Sequence, residues 1–214
     1  MKLIKVLLID DHPIVRYGFR QLLAVAPNIA VCSEASDARA AVEQLASRPD
    51  VAIVDISLGA TNGIDLIRDL KRLAPNIVVL VISMHDELLY AERALRAGAS
   101  GYVMKHEATE SIVKAIRTVA NGGIFVSDAV STRVLQRVTG QATPPTVLDA
   151  LTNRELHVLQ LVGRGLGTRA IAEQLHISVK TVESYRARLK EKMNLRTGTE
   201  LIRFAVRWAE ENER

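Results

Sequence analysis

The chain has 214 residues, 28 Lys and Arg against 24 Asp and Glu, 48% hydrophobic residues and 24% charged residues. That balance excludes a disordered polypeptide and supplies apolar surface for one large core or two small ones. A single cysteine excludes an internal disulfide or a cysteine-built zinc site, aromatics at 4% argue against base stacking, and no apolar run nears the roughly 18 residues of a membrane span.

The chain enters an apolar strand at once, without a signal or transit segment, so a cytoplasmic location is expected. Short β-prone runs then alternate with amphipathic helical patterns. Strands are predicted at 5–9, 30–35, 51–55, 78–83 and 101–104, and helices at 14–26, 38–48, 63–74, 88–97 and 110–121. Five βα repeats whose strands are apolar on both faces imply a five-stranded, doubly wound parallel sheet. Cys32 follows the apolar run 29–31 and reads as an inert buried thiol. "NGG" at 121–123 ends the last of these helices. A helical pattern at 128–138 comes next, then "TGQATPPT", 139–146, a polar, proline-bearing break of linker type. Beyond it the strands stop, and 148–211 reads as four short helices. Thr152 with Glu155, and Thr197 with Glu200, fit the capping box. The expected organisation is an α/β domain at 3–121, a linker with a helix at 122–147, and a small all-α domain at 148–211.

Ligands of an open parallel sheet bind beyond the carboxyl ends of its strands. Those ends carry Asp10 and Asp11, Asp55, Ser83 and Lys105. Three carboxylates at close range do not all stay ionised without a cation. An oxygen-only set suits a hard octahedral ion such as Mg²⁺, which usually serves phosphate chemistry. Asp55 can act as a nucleophile toward phosphorus, with Ser83 and Lys105 hydrogen-bonding and neutralising phosphoryl oxygens. Taken singly, each Asp reads as a turn former; the combination at four of five strand ends is what points to chemistry.

Residues 3–121 resemble the receiver domain of bacterial two-component response regulators. The matching pieces are "DD" at 10–11, "VD" at 54–55 with "NG" at 62–63, "IS" at 82–83 and "GYVMK" at 101–105. The resemblance implies that Asp55 accepts phosphate from a sensor histidine kinase. It implies that Asp10, Asp11 and Asp55, with the backbone carbonyl of Ser57, hold Mg²⁺, and that Ser83 and Tyr102 form a switch pair. Gly59 and His106 depart from the family, where proline is usual or frequent. His12 lies near enough to tune the site but reads first as a loop residue, and His85, His157 and His176 read as structural.

Charge is uneven. Residues 1–145 hold 16 basic against 15 acidic side chains, and 146–214 hold 12 against 9. Six basic and two acidic residues fall within 180–196. The helical patterns at 169–175 and 179–192, joined by a tight turn with Ser178 as N-cap, have the helix-turn-helix layout, whose second helix lies in the major groove. Lys180, Arg186, Arg188, Lys190 and Lys192 are candidates for phosphate contacts, Glu183, Ser184 and Ala187 for base edges, and Thr181 lies on the same exposed side. Residues 151–195 resemble the LuxR-type helix-turn-helix of NarL/FixJ-class response regulators, with Gly167 and Thr168 departing from the usual polar pair. The two resemblances together imply a phosphorylation-dependent transcription regulator that binds promoter DNA as a homodimer and is not an enzyme in the ordinary sense. The last helix, with Gly198, Leu201, Ala205 and Trp208, is the candidate dimer contact. A Mg²⁺-dependent phosphohydrolase is the competing reading. Against it, Ser57 stands where an acid–base Asp would be needed, and no cap insertion is present.

Overall fold

The structure is a computed structural model that describes residues 2–59, 61–107, 109–140 and 146–212. The chain forms two compact units, Met1–Ala142 and Thr143–Arg214. Of the expected linker, residues 141–145 lie outside the described residues.

In the first unit, β1 (Ile4–Ile9), β2 (Ile29–Ala35), β3 (Val51–Val54), β6 (Val78–Ser83) and β7 (Gly101–Met104) form one parallel sheet in the order β2-β1-β3-β6-β7. Between them run α1 (Pro13–Ala24), α2 (Ala38–Gln44), α3 (Gly63–Leu73), α4 (Glu87–Ala97) and α5 (Thr109–Ala120). The central strands are apolar on both faces because helices cover both: Val6, Leu7, Val51, Ala52, Val54, Val79, Leu80 and Val81 are all fully buried. Strand order reverses between β1 and β3, so the crevice beyond their carboxyl ends is the place where such a sheet binds ligands.

Two features were not legible in the sequence. A two-stranded antiparallel ribbon, β4 (Ser57–Leu58) with β5 (Thr61–Asn62), lies just past β3. Cys32 is exposed rather than buried, a correction with a local cause. The β1–β2 register pairs Val6 with Val31 and Leu7 with Ser33, leaving Cys32 as the extra residue of a bulge on the edge strand.

The segment after α5 is also built onto this unit. Phe125 extends the sheet edge beside β7, its carbonyl accepting the Tyr102 amide at 2.8 Å. Helix α6 (Asp128–Val138), capped by Ser127, then packs on α4. Ser127 donates to Glu87 (2.7 Å), Arg133 to the Leu88 carbonyl (2.9 Å), and Arg137 pairs with Glu92 (2.8 Å).

In the second unit, α7 (Asn153–Gly163) is the central helix, packed by α8 (Thr168–Gln174), α9 (Val179–Lys192) and α10 (Gly198–Asn212). A short 3₁₀ turn, Val147–Ala150, precedes it. Gly163 lets α7 and α10 cross closely: a Cβ there would stand 2.6 Å from the Ala205 carbonyl. The Thr152–Glu155 capping box is complete. At Thr197 half of the expected box forms. The Glu200 amide donates to the Thr197 hydroxyl, while the Glu200 carboxylate takes the amide of Arg196 instead.

Candidate functional site

Asp10, Asp55 and Lys105 each lie one step past a strand and are anchored by their backbone. The Asp10 amide donates to the Ala35 carbonyl, the Asp55 amide to Ile9, and the Lys105 amide to Ser83. The local sequence at 62–63 fixes the far side. Asn62 caps α3 by accepting from the Ile64 amide, and the Gly63 amide donates to the Ile56 carbonyl. A Cβ on Gly63 would fall 2.0 Å from the Asp55 carbonyl, so only glycine lets α3 begin against the backbone that carries Asp55. The expected convergence of strand ends is present in three dimensions.

Lys105 Nζ lies 2.6 Å from Asp10 Oδ2 and 2.7 Å from Asp55 Oδ2, with all three side chains largely removed from water. Burial pushes the Asp55 carboxyl above its usual range, against the opposing pull of Lys105; Asp10 adds to the rise. Burial works to lower Lys105, but Asp55 and Asp10 outweigh it and hold the ammonium above the ordinary lysine value. Asp11 is half-exposed and takes the Gly59 amide on Oδ2 at 3.0 Å.

The residues fit a divalent cation. Asp55 Oδ1 is buried and has no hydrogen-bond partner, a costly state for a carboxylate oxygen unless a cation or an incoming group meets it. Asp10, Asp11, His12 and Asp55 each offer a ligand atom, and these atoms lie within 4.8 Å of one another. The acidic cluster is of the kind that binds divalent metals.

Ser83 and Tyr102, the expected switch pair, both lie in the interior beside this centre. Ser83 is fully buried, and Tyr102 is 1% exposed. Its hydroxyl donates to the His85 carbonyl at 2.7 Å, and burial pushes the phenol well above its ordinary pKa. On the α4 surface, Leu88 is exposed and Leu89 half-buried, but Ala91 is fully buried. His85 also proves close to the site. Its Nε2 and the Ser57 hydroxyl are 2.9 Å apart, its ring leans on Tyr90, and its amide donates to Ser83 Oγ at 3.3 Å. A sequence signal existed, since His85 is two residues past Ser83, but only the ribbon β4–β5 brings Ser57 to it. Gly59, which supplies its amide to Asp11, carries no sequence signal of that role.

On the second unit, α9 presents Lys180, Glu183, Ser184, Ala187 and Arg188 to solvent, with Thr181, Arg186 and Lys190 half-buried. Ser178 caps the helix through the Thr181 amide, and its hydroxyl meets that of Thr181 at 2.7 Å. Ser184 folds its hydroxyl back onto the Lys180 carbonyl. Lys192 departs from expectation. Its ammonium donates to Glu155 Oε2 at 2.6 Å and to the Ala150 carbonyl at 3.1 Å. Burial works to raise Glu155, and Lys192 with Thr152 outweighs it, so the carboxyl sits below its usual value. Lys192 therefore compensates a buried carboxylate inside the domain. In α10, Leu201, Ala205 and Trp208 are turned inward, because α10 packs on α7 along that stripe; Gly198 remains exposed.

Comparison with known proteins agrees with both halves. Residues 6–117 match the response regulator receiver domain, and residues 149–205 match the LuxR family of bacterial regulatory proteins. The transcriptional regulatory protein DegU of Brevibacillus brevis is 33% identical, with 93% of this chain and 91% of that protein covered. The oxygen regulatory protein NreC of Staphylococcus epidermidis is 32% identical over 95% of this chain and 97% of its own length. Among solved structures, RcsB of Salmonella enterica serovar Typhimurium, bound to promoter rprA in the presence of the phosphomimetic BeF3⁻, has a TM-score of 0.63 at 25% identity, covering 96% of this chain and 99% of that one. Receiver, acidic cluster and helix-turn-helix thus converge: the chain belongs to the NarL/FixJ-class response regulators, transcription regulators that join a receiver domain to a LuxR-type DNA-binding domain.

Proposed function

We propose that Asp55 accepts a phosphoryl group from a sensor histidine kinase and that this event controls promoter binding through α9. The observation that carries the reading is the free, buried Oδ1 of Asp55 beside an ammonium and two further carboxylates. In the transfer, a lone pair of the Asp55 carboxylate attacks phosphorus, the P–N bond of phosphohistidine breaks, and the imidazole leaves. Asp10, Asp11 and Asp55, with the Ser57 carbonyl, would hold Mg²⁺, which supplies charge neutralisation for phosphoryl oxygens. Lys105 moves with its charge from the carboxylates to the new phosphoryl group, and Ser83 donates a hydrogen bond to it.

On the DNA side, Lys180, Arg186, Arg188 and Lys190 contact phosphates, and Glu183, Ser184 and Ala187 reach base edges. Two half-sites read by a homodimer fit the geometry of helix-turn-helix proteins, and the RcsB complex with promoter DNA supports the partner assignment. The dimer contact on α10 lies around exposed Gly198 and Ile202 rather than along the inward stripe. A cytoplasmic location follows from kinase and DNA as partners.

The test is incubation with acetyl phosphate and Mg²⁺, read by intact mass and by promoter-fragment anisotropy. One phosphoryl group per chain is expected, absent in Asp55→Asn, with tighter DNA binding by the labelled protein. Undiminished labelling of Asp55→Asn overturns the assignment, and rapid multiple turnover of the donor favours a hydrolase.

A further inference from the structure

The oxygens of the acidic cluster are divided between two jobs. Every Oδ2 is taken: those of Asp10 and Asp55 by Lys105, and that of Asp11 by the Gly59 amide. The Oδ1 atoms differ in their partners. Asp55 Oδ1 is buried and unpartnered. Asp11 Oδ1 is buried and makes no well-formed hydrogen bond, although His12 Nδ1 stands 2.7 Å away. Asp10 Oδ1 takes the His12 amide at 2.8 Å and lies 3.4 Å from the same ring nitrogen. Asp11 Oδ1 and Asp55 Oδ1 are thus the two buried carboxylate oxygens of the cluster without a hydrogen-bond partner, and one ligand atom from each of Asp10, Asp11, His12 and Asp55 lies within 4.8 Å of the others.

His12 is held there by its backbone. It is the N-cap residue of α1, extended at φ −91°, and Pro13 follows at the first helical position. Its amide is committed to Asp10 and its carbonyl accepts from Val15 and Arg16, which fixes the backbone from which the ring reaches Asp11, with Nδ1 2.7 Å from Oδ1. With the side chain 62% exposed, it costs little to exchange a contact with Asp11 for a bond to an ion.

We infer that His12 is a nitrogen ligand at the mouth of the acidic cluster, giving the site a preference for transition-series divalent cations over Mg²⁺. The inference rests on the metal reading proposed above and extends its donor set. Carboxylates alone suit Mg²⁺, whereas an imidazole adds a donor that Mg²⁺ uses poorly and that later first-row ions bind well. Mn²⁺ and Co²⁺ are the informative probes, because both accept octahedral sites of mixed oxygen and nitrogen donors.

The experiment titrates Mg²⁺, Mn²⁺ and Co²⁺ into the full chain and into His12→Gln by calorimetry, with the Co²⁺ absorption bands and the Mn²⁺ electron paramagnetic resonance signal as ligand-sensitive readouts. Circular dichroism checks that the variant keeps its fold. The expected result is a Co²⁺-to-Mg²⁺ affinity ratio that falls about tenfold in His12→Gln, with Mg²⁺ affinity nearly unchanged and a shifted Co²⁺ spectrum. If Mg²⁺ binds and the ratio and spectrum are the same in both proteins, His12 is not a ligand and the carboxylate site stands without it. If the wild-type chain binds none of the three ions, the metal reading itself fails and takes this inference with it.

Discussion

Lys105 holds Asp55 and Asp10 with one ammonium, at 2.7 Å and 2.6 Å. The lysine thus lets two carboxylates sit side by side away from water, and under the proposed metal reading a bound cation would act on the same charges.

Lys105→Met should therefore cost metal-free protein on the order of 3 kcal/mol, the scale for breaking a buried ion pair and stranding its partners. Mg²⁺ should restore part of the loss. Urea denaturation in EDTA and in excess Mg²⁺ measures both. An equal loss in the two buffers would show that lysine and metal do not share these carboxylates.

The raised Asp55 carboxyl has a pH consequence. A folded-state pKa above the unfolded one contributes stability below the unfolded value, and that contribution is lost as pH rises through the folded value. Asp55→Asn escapes the loss. In EDTA, its stability relative to wild type should increase from about pH 4, near the ordinary carboxylate value, to neutrality. Mg²⁺ affinity of the wild type should fall on acidification sooner than an ordinary carboxylate would require. Denaturant midpoints and calorimetric titrations across that range check the two statements; a flat difference would contradict the first.

On α9, two basic residues should behave differently. Arg188→Ala should lower the slope of log K against log salt by about 1, as for a lost phosphate contact. Lys192→Ala should leave the slope alone and instead cost about 2 kcal/mol of stability, because Glu155 at 1% exposure loses its cation. Salt-dependent anisotropy and thermal unfolding separate them.

The α6–α4 contact should be a distinct unit of local stability. Arg137→Glu should repel Glu92 and speed amide exchange across 128–138, while β1 and β3 stay protected. Adding Glu92→Arg should restore protection by reversing the pair. Hydrogen-exchange mass spectrometry reads both. Glu92 also pairs with Arg96, so incomplete rescue by the double variant is the expected size of that second contact.

Much of the architecture was open to reading along the chain. The central strands of the parallel sheet are each a short apolar run, and burial on both faces leaves little polar alternation to confuse them. Helix 128–138 was legible from its helical pattern and the polar, proline-bearing break after it. The acids, Ser83 and Lys105 could be placed at one edge from strand polarity alone, since every parallel strand delivers its last residue to the same side. What contacts what was a tertiary matter. Cys32 is exposed because a bulge takes it out of register, and no residue type announces that bulge. Tyr102 is inward, Lys192 is tied to Glu155, and Leu201, Ala205 and Trp208 face α7, because packing partners distant in sequence occupy the other choices. The holding of the Oδ2 atoms by Lys105 and the Gly59 amide depends on groups 48 to 95 positions apart being brought within 3 Å by the fold. Local sequence sets backbone preference and hydrophobic period; the direction of a side chain at a crowded edge is decided by which neighbours the folded chain has already put there.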